Sequence, residues 1–551
     1  MYLGPYIQNN VFRFRILFEP RWQLTIENPS QTWKPKHNPW LISVVVALAA
    51  FMEVLDTSIC NVALPHIAGS MGFSMSEGTW VLTTYLVANA IVLPITGWIS
   101  SVVGRKRFFL FCIVIFTICS LFCGLAPNIG TLLLARALQG ASGGGMQPMA
   151  QAIMADSVPP RQRGLAFALF GVTAVVAPAL GPTLGGWITD NYTWRWIFFI
   201  NIPVGLLAFA LIYQLVEDPP FLRRFKPGAM RLDTVGLALL VVGIGALQIM
   251  LDKGQEDDWL ASRFITTLAV TAVVGLLSLV FWEWRHKNPV VDIHLFRNIN
   301  FASSSVVMFV AGTTMFSSSI LMPQFLQTMA GYTAVDAGMV VSSGATVVLF
   351  MLPIAGVLTT KVPIKYTMAF GWLLSAVGLF LSAHIHTLQL SFGYACLMMV
   401  MQFAPIAFIF ISATTASYFG IPKDRSDSVS GLANFMRNLG SSVGTSLIQT
   451  ILARRTQFHL ARLGEHAVAS DPSFQMNLAA SAHVMNGAGL HPSSVLGAAL
   501  GRVYSIFQMQ AMTLSYVDAY VFMSICSLAM FFLSFLIKKN DPHNTEMAAG
   551  H

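Results

Sequence analysis

Leu93-Pro94-Ile95-Thr96-Gly97 recurs as Leu352-Pro353-Ile354-Ala355-Gly356, 259 residues further along the chain. The register holds on both sides. Ile99-Ser100-Ser101 meets Leu358-Thr359-Thr360, Val103 meets Val362, and upstream Val81-Leu82-Thr83-Thr84 meets Val340-Val341-Ser342-Ser343. Each copy lies in an apolar run of helical length, with a proline inside it and a glycine before a small polar stretch and a basic turn. Proline removes a backbone hydrogen bond and bends a helix. Glycine lets a second helix approach closely. Two such elements at fixed spacing indicate a duplicated helical unit, the construction on which alternating-access transport rests. Chance likeness between apolar helices is the competing account, and the shared Pro–Gly register weighs against it.

The same apolar texture extends outward over most of the chain. Of 551 residues, 55% are hydrophobic and only 10% charged, against about 25% charged in soluble domains. Segments long enough to cross a bilayer, roughly 20 apolar residues each, fall at 40–62, 79–100, 107–125, 131–153, 165–189, 195–215, 233–251, 264–284, 302–323, 336–358, 366–383, 390–417, 430–452 and 514–537. We number these spans 1 to 14. Helices are the expected form, because hydrocarbon leaves no backbone group unpaired, and the short alternating segments of a β-barrel do not occur. The repeat relates spans 2 and 10, a spacing of eight where a six-helix unit would give six. Inserting spans 7 and 8 between two six-helix bundles accounts for the difference. The expected fold is an all-α membrane protein of fourteen transmembrane helices. It divides into an N-terminal segment 1–38, a first bundle 39–215, an inserted pair with its loops 216–300, a second bundle 301–537 that includes an outer loop 453–513, and a tail 538–551.

The net charge of +8 is a topology signal. With the N-terminus inside, the cytoplasmic loops hold eighteen Lys and Arg and the opposite loops seven, so the positive-inside rule places both termini in the cytoplasm. No basic stripe interleaves with exposed aromatics, so nucleic acid is not an expected partner. Residues 1–38 lack the apolar core and cleavage site of a signal peptide and read as a cytoplasmic lead-in. The six cysteines lie within apolar spans and form neither a disulfide framework nor paired metal-ligand spacing. Gly-Lys never occurs, which rules out a P-loop ATPase. There is no HExxH and no paired CxxC. His384-Ile385-His386 reads as a solvated outer turn rather than a metal pair. Neither a metal nor a cofactor is expected.

Charges inside spans are costly and mark functional candidates. Span 1 carries Glu53 and Asp56, three residues apart and so on one helical face. Burial and a neighbouring carboxylate both favour the protonated form, while a cation favours the ionised one. The pair therefore suits proton coupling. Alternatively, Asp56 is a permanently ionised partner of a buried arginine that fixes helix packing. The cations are Arg136 in span 4 and Arg437 in span 13. Arg136 opens Arg136-Ala-Leu-Gln139-Gly140-Ala-Ser-Gly143-Gly144-Gly145. Arginine stays charged, so Arg136 needs a carboxylate or carbonyl of span 1. In span 5, Gly171, Pro178, Gly181, Pro182, Gly185 and Gly186 combine two kinking prolines with a smooth glycine row.

Taken together these residues resemble the major facilitator superfamily and, within it, the 14-helix drug–proton antiporters. Val54 to Pro65 is similar to the family's helix 1 motif and Arg136 to Gly145 to its helix 4 motif. Pro178 to Gly186 resembles the antiporter motif of helix 5, and Trp194 to Gly205 the start of helix 6. The likeness runs from about residue 40 to 537 and implies the major facilitator fold, with proton-driven export of hydrophobic or amphipathic compounds across an inner membrane. It also implies a periplasmic adaptor of the EmrA type and an outer-membrane channel like TolC. One stretch departs. Where the family has Gly-x-Leu-Ala-Asp-Arg-x-Gly-Arg-Arg between helices 2 and 3, Gly97, Gly104, Arg105 and Lys106 remain, but Ser101 and Val102 replace the Asp and the Arg. Arg105 is then either a gating residue or, with Lys106 and Arg107, a topology charge alone.

The expected substrate cavity lies between helices 1, 2, 4 and 5 and helices 9, 10, 12 and 13, with Tyr85, Asn89, Gln147, Gln324 and Asn434 beside Met and Phe walls. The chain has 27 Met and 40 Phe, a composition suited to varied apolar ligands. In the outer loop, 454–463 continues span 13 and 495–510 leads into span 14, so a protruding helical pair that docks an adaptor competes with a disordered loop. Rival functions are a dedicated exporter of one metabolite, such as a siderophore or fatty acid, and a lipid-modifying membrane enzyme. The enzyme would need a nucleophile–base or metal cluster that the sequence does not offer.

Overall fold

The structure is a computed structural model and describes residues 35–220, 233–286, 289–385, 387–465, 471–487 and 491–537. The lead-in 1–34, His386 and the tail 538–551 lie outside these residues.

Among the described residues fourteen long helices follow in chain order, and each of the fourteen spans falls within one or overruns its ends by no more than four residues. They are α1 (Pro39–Met71), α2 (Trp80–Val103), α3 (Arg105–Leu125), α4 (Ile129–Ser157), α5 (Arg163–Asn191), α6 (Trp196–Leu215), α7 (Thr234–Lys253), α8 (Arg263–Arg285), α9 (Ile299–Thr328), α10 (Ala334–Lys361), α11 (Ile364–Ile385), α12 (Phe392–Ser417), α13 (Ser426–Gly464) and α14 (Pro492–Leu533). Local chemistry sets the ends. Asn38 caps α1 ahead of Pro39, and left-handed Gly72 closes it. Asn128, Asp233, Asn298 and Thr333 cap α4, α7, α9 and α10 in the same way. Gly104, at φ 96°, makes the sharp elbow between α2 and α3, a backbone conformation that glycine accepts at no steric cost. In α5 the segments Arg163–Pro178 and Thr183–Asn191 meet at 42°, with Pro178 and Pro182 at the bend.

Eleven of these helices are long and apolar enough to cross a membrane, and the bent α5 makes a twelfth. The chain is a multi-pass membrane protein. The two remaining long helices, α4 and α13, are too polar to pass that measure, and they carry Arg136 and Arg437.

Helices α1 to α6 pack on one another, as do α9 to α14. The two groups meet along two seams, α2 and α4 against α13, and α5 against α10 and α12. The repeat glycines lie in these seams. A Cβ on Gly97 of α2 would collide with Ser428 of α13, and one on Gly356 of α10 would sit 3.1 Å from the carbonyl of Gly164 in α5. The duplicated Pro–Gly element is therefore the close crossing point in each half. Helix α7 packs on α8 and lies across the first seam, touching α2 and α13. There Asp252 accepts from Thr83, Gln248 donates to Ser442 at 2.7 Å, and Trp259 donates to Thr450 at 3.1 Å.

Helices α13 and α14, of 39 and 42 residues, are about 58 and 63 Å long at 1.5 Å per residue, roughly twice the hydrocarbon thickness. The extension of α13 beyond span 13 is clasped to α14 by Asp518, which sits 2.6 Å from Arg455 and 2.7 Å from His459, and by Thr456, which donates to Ser515. A further helix, Pro472–Gly487, packs on α14. Of the two readings of 453–513, the helical pair describes these residues, with one helix more than expected.

Candidate functional site

Glu53 and Asp56 are both buried, 4% and 2% exposed, yet they have different partners. Asp56 is sealed inside the first group of helices. Arg136 Nη1 lies 2.6 Å from its Oδ2, while Gln139 Nε2 and Asn201 Nδ2 donate to Oδ1 at 3.0 and 2.6 Å. Arg136 also donates to Gln139 Oε1 and to the Val81 carbonyl, and its guanidinium lies 4.3 Å from the Tyr85 ring centroid. Helices α1, α2, α4 and α6 all contribute, and Ser120 of α3 accepts from Gln139 at 2.8 Å. The glycines after Arg136 make this approach possible, since a Cβ on Gly140 would strike the Tyr85 carbonyl. Gly140-Ala141-Ser142-Gly143-Gly144 has the spelling of a hydrolase nucleophile elbow, but it lies in mid-helix and Ser142 donates to the Gln139 carbonyl.

Glu53 touches no cation among the described residues. It accepts from Tyr85 Oη and Asn89 Nδ2 on α2, both at 3.1 Å, and from Gln147 Nε2 on α4 at 2.5 Å. The network then crosses to the second group. Arg437 Nη2 of α13 donates to Gln147 Oε1 at 2.5 Å, Asn438 donates to Asn89 Oδ1 at 3.1 Å, and Asn434 donates to Gln151 Oε1 at 2.7 Å. Four of the five expected cavity residues, Tyr85, Asn89, Gln147 and Asn434, thus belong to this seam. Gln324 stands apart and accepts from Gln449 within the second group.

Nearer the end that carries the basic loops is a third cluster. Arg105 is 1% exposed and lies between two carboxylates, Asp156 at the end of α4 and Asp427 at the start of α13, 2.6 Å from each. Ser100 donates to Asp427 at 2.6 Å and Ser426 to Asp156 at 3.2 Å. Arg105 is therefore no simple topology charge. It ties the two groups of helices together although Ser101 and Val102 have replaced the family's acid and base. In the adjoining loop, burial pulls the Lys423 ammonium below its ordinary value and Arg163 adds to that pull. Burial also pushes the Tyr418 hydroxyl up.

The helix 5 residues line both partners of α5. Ser58 of α1 donates to the Pro178 carbonyl at 3.2 Å. A Cβ on Gly181 would strike Ser58, one on Gly185 would press on Ile59, and one on Gly171 would meet Leu352 of α10 at 2.7 Å, while Gly186 faces open space.

Gln139, Asn201, Asp156, Asp427, Gln151 and Asn438 are site residues that sequence reasoning passed over. One signal was available. Asp427, Asn434, Arg437, Asn438 and Ser441 recur at three-, four- and seven-residue spacing, a polar stripe on one face of α13.

Residues 46–445 match the Major Facilitator Superfamily. The chain is 38% identical over 447 residues to the multidrug export protein EmrB of Escherichia coli (strain K12), covering 81% of this chain and 86% of that protein. It is 37% identical over 425 residues to the fatty acid resistance protein FarB of Neisseria gonorrhoeae, covering 77% and 83%. Among solved structures, a double-tryptophan mutant of XylE superposes with a TM-score of 0.58 at 14% identity, covering 93% of this chain and 98% of that one, a likeness of fold.

Proposed function

The chain belongs to the major facilitator superfamily, and on that premise we propose that it exports hydrophobic and amphipathic compounds in exchange for protons, with Glu53 as the proton carrier. It is a multidrug-efflux transporter of that superfamily rather than an enzyme. The proposal divides it into two six-helix bundles, α1–α6 and α9–α14, with α7 and α8 inserted, so that all fourteen helices cross the inner membrane and both termini are cytoplasmic.

One observation carries the reading. Glu53 is buried at the bundle boundary and held by neutral donors alone, and one of those donors, Gln147, passes the contact on to Arg437 of the other bundle. With Glu53 ionised, both ends of the amide relay are charge-assisted, which makes each hydrogen bond roughly twice as strong as a neutral one. A proton on Glu53 removes the charge at one end, loosens the relay and lets the bundles part. Asp56 cannot serve in the same way while Arg136 neutralises it, so its role here is to fix α1 against α4. The Arg105–Asp156–Asp427 cluster closes the cytoplasmic side, and the two seams are the surfaces on which the bundles rock.

Glu53→Gln in proteoliposomes tests this. Efflux driven by a pH gradient is expected to stop, while substrate binding and downhill counterflow persist. Full gradient-driven efflux by Glu53→Gln would remove Glu53 from the mechanism.

A second reading, a dedicated exporter of one amphipathic metabolite, is favoured by the relative that is named for fatty acid resistance. Competition for efflux among unrelated compounds separates the two. The clasped extensions of α13 and α14, with Leu496, Leu500 and Tyr504 exposed four residues apart, are the proposed seat of an EmrA-type adaptor leading to a TolC-like channel. Cross-linking from Leu500→Cys to a co-expressed adaptor tests that placement.

A further inference from the structure

Three buried arginines hold the site together, and two of them are neutralised. Arg136 has Asp56, and Arg105 has Asp156 and Asp427. Arg437 differs. It is 8% exposed and its Nη2 donates to the neutral amide of Gln147; its Nε is buried without a partner, as are Arg136 Nη2 and Arg105 Nη2, so what sets it apart is the countercharge. Among the described residues no carboxylate lies within ion-pair distance of it. A guanidinium cannot shed its proton, and a buried charge is tolerated only when something pairs with it. The surroundings are aromatic. The Arg437 guanidinium lies 5.8 Å from the Phe410 ring centroid, and Phe410 stacks on Phe170. The unpaired Nε edge of the guanidinium fork matches a planar oxyanion, and the rings beside it suit an apolar body.

We propose that Arg437 is the head-group site for amphipathic anions, taking a carboxylate whose apolar chain lies against Phe410 and Phe170. This rests on the efflux reading and adds to it the sign of the charge that is recognised. Gln147 gives its N–H to Glu53 and its oxygen to Arg437, so it separates an acid pole on α1 from a basic pole on α13 without neutralising either. Cations gain from the first pole and anions from the second. Ionised Glu53 repels an anion at Arg437, and neutral Glu53 does not. The two poles therefore predict opposite responses to one substitution. Outward movement of an anion from a cell with a negative interior is also downhill in the membrane potential, so exchange for a proton moves two charges in favourable directions.

The test measures binding to the purified full-length chain with three probes of one chain length: dodecanoate, dodecanol and dodecyltrimethylammonium. Wild type is expected to bind dodecanoate at least tenfold more tightly than dodecanol. Arg437→Gln is expected to abolish that preference while leaving dodecanol affinity unchanged. Glu53→Gln is expected to tighten dodecanoate severalfold and weaken dodecyltrimethylammonium. If Arg437→Gln does not fold, Arg437→Lys decides, because a lysine keeps the charge and loses the fork. Its dodecanoate affinity should fall severalfold, again with dodecanol unchanged. Retention of the full preference by Arg437→Gln or Arg437→Lys, or no preference in wild type, overturns the assignment. Proton-driven efflux, of dodecanoate or of any other probe, is read separately in wild type. Its absence beside an intact dodecanoate preference would sink the efflux reading and leave the anion site standing.

Discussion

Glu53 and Asp56 are three residues apart on α1, and about 60° of helix rotation separates their side chains. That rotation is enough to turn Asp56 inward to α4 and α6 and Glu53 outward to the seam. Asp56 has one full countercharge and two neutral contacts, none of which leaves its bundle. Glu53 has neutral donors only, and its network ends in the other bundle. A buried ion pair supported by neutral donors has one stable protonation state, so it is a fixture. A buried acid with neutral donors has two accessible states, and because the seam can open, a change between them has mechanical consequences. The same chemistry thus becomes scaffold or switch according to what it faces.

The comparison breaks first if Asp56→Asn is tolerated. That substitution leaves Arg136 buried without a countercharge, a change that typically costs about 3–5 kcal/mol. Thermal unfolding of the purified protein, followed by tryptophan fluorescence, should show a large loss of stability or no folded protein. Folding as robust as wild type would return Asp56 to the list of groups that can lose their charge in the native state.

Next in size is the proposed cytoplasmic latch. Asp427→Asn keeps Arg105 paired with Asp156 but removes one of the two carboxylates that bridge the bundles. A charge-assisted contact of this kind contributes about 1.5–3 kcal/mol, which is a tenfold or larger shift towards the inward-open state. Thiol labelling of a single cysteine at Ser100, on a cysteine-free background, should accelerate accordingly in Asp427→Asn. An unchanged labelling rate would reduce the cluster to static packing.

Glu53→Gln is the counterpart of the first prediction. A neutral amide of the same shape removes no countercharge from a partner, so stability should change by about 1 kcal/mol or less, within the range of a single neutral hydrogen bond. If it unfolds the protein as Asp56→Asn does, the two acids are not different in kind.

Much of this architecture was legible in the sequence because membrane helices report themselves through length and hydropathy. The repeat also named Gly97 and Gly356, the residues where the seams close. The assignment of partners was not legible. The three-residue spacing of Glu53 and Asp56 places both near Arg136, and it was Gln139 and Asn201, from helices distant in sequence, that fixed which acid the arginine takes. Asp156 and Asp427 were hidden for a related reason. Each is an ordinary loop-edge acid on its own, and only the crossing of α4 and α13 puts both on Arg105. The hydropathy measure also fails at α4 and α13, because the polar residues they bring to the proposed site are the ones that weaken a membrane signal.

The smallest effect is expected at Ser101, where the family pattern and this chain part company. Ser101 is half-buried and donates to the Trp98 carbonyl, so it takes no part in the latch. The latch instead draws its carboxylates from Asp156 and Asp427. Ser101→Asp, which restores the family's acid, therefore adds a third carboxylate near an arginine whose two contacts are already filled. A partly exposed substitution of this kind changes stability by about 0.5 kcal/mol or less. Efflux rate and Ser100 labelling should stay within twofold of wild type. A strong gain in either would mean that Asp156 and Asp427 do not replace the missing acid, and the cytoplasmic closure would then belong to the α2–α3 elbow rather than to the meeting of α4 with α13.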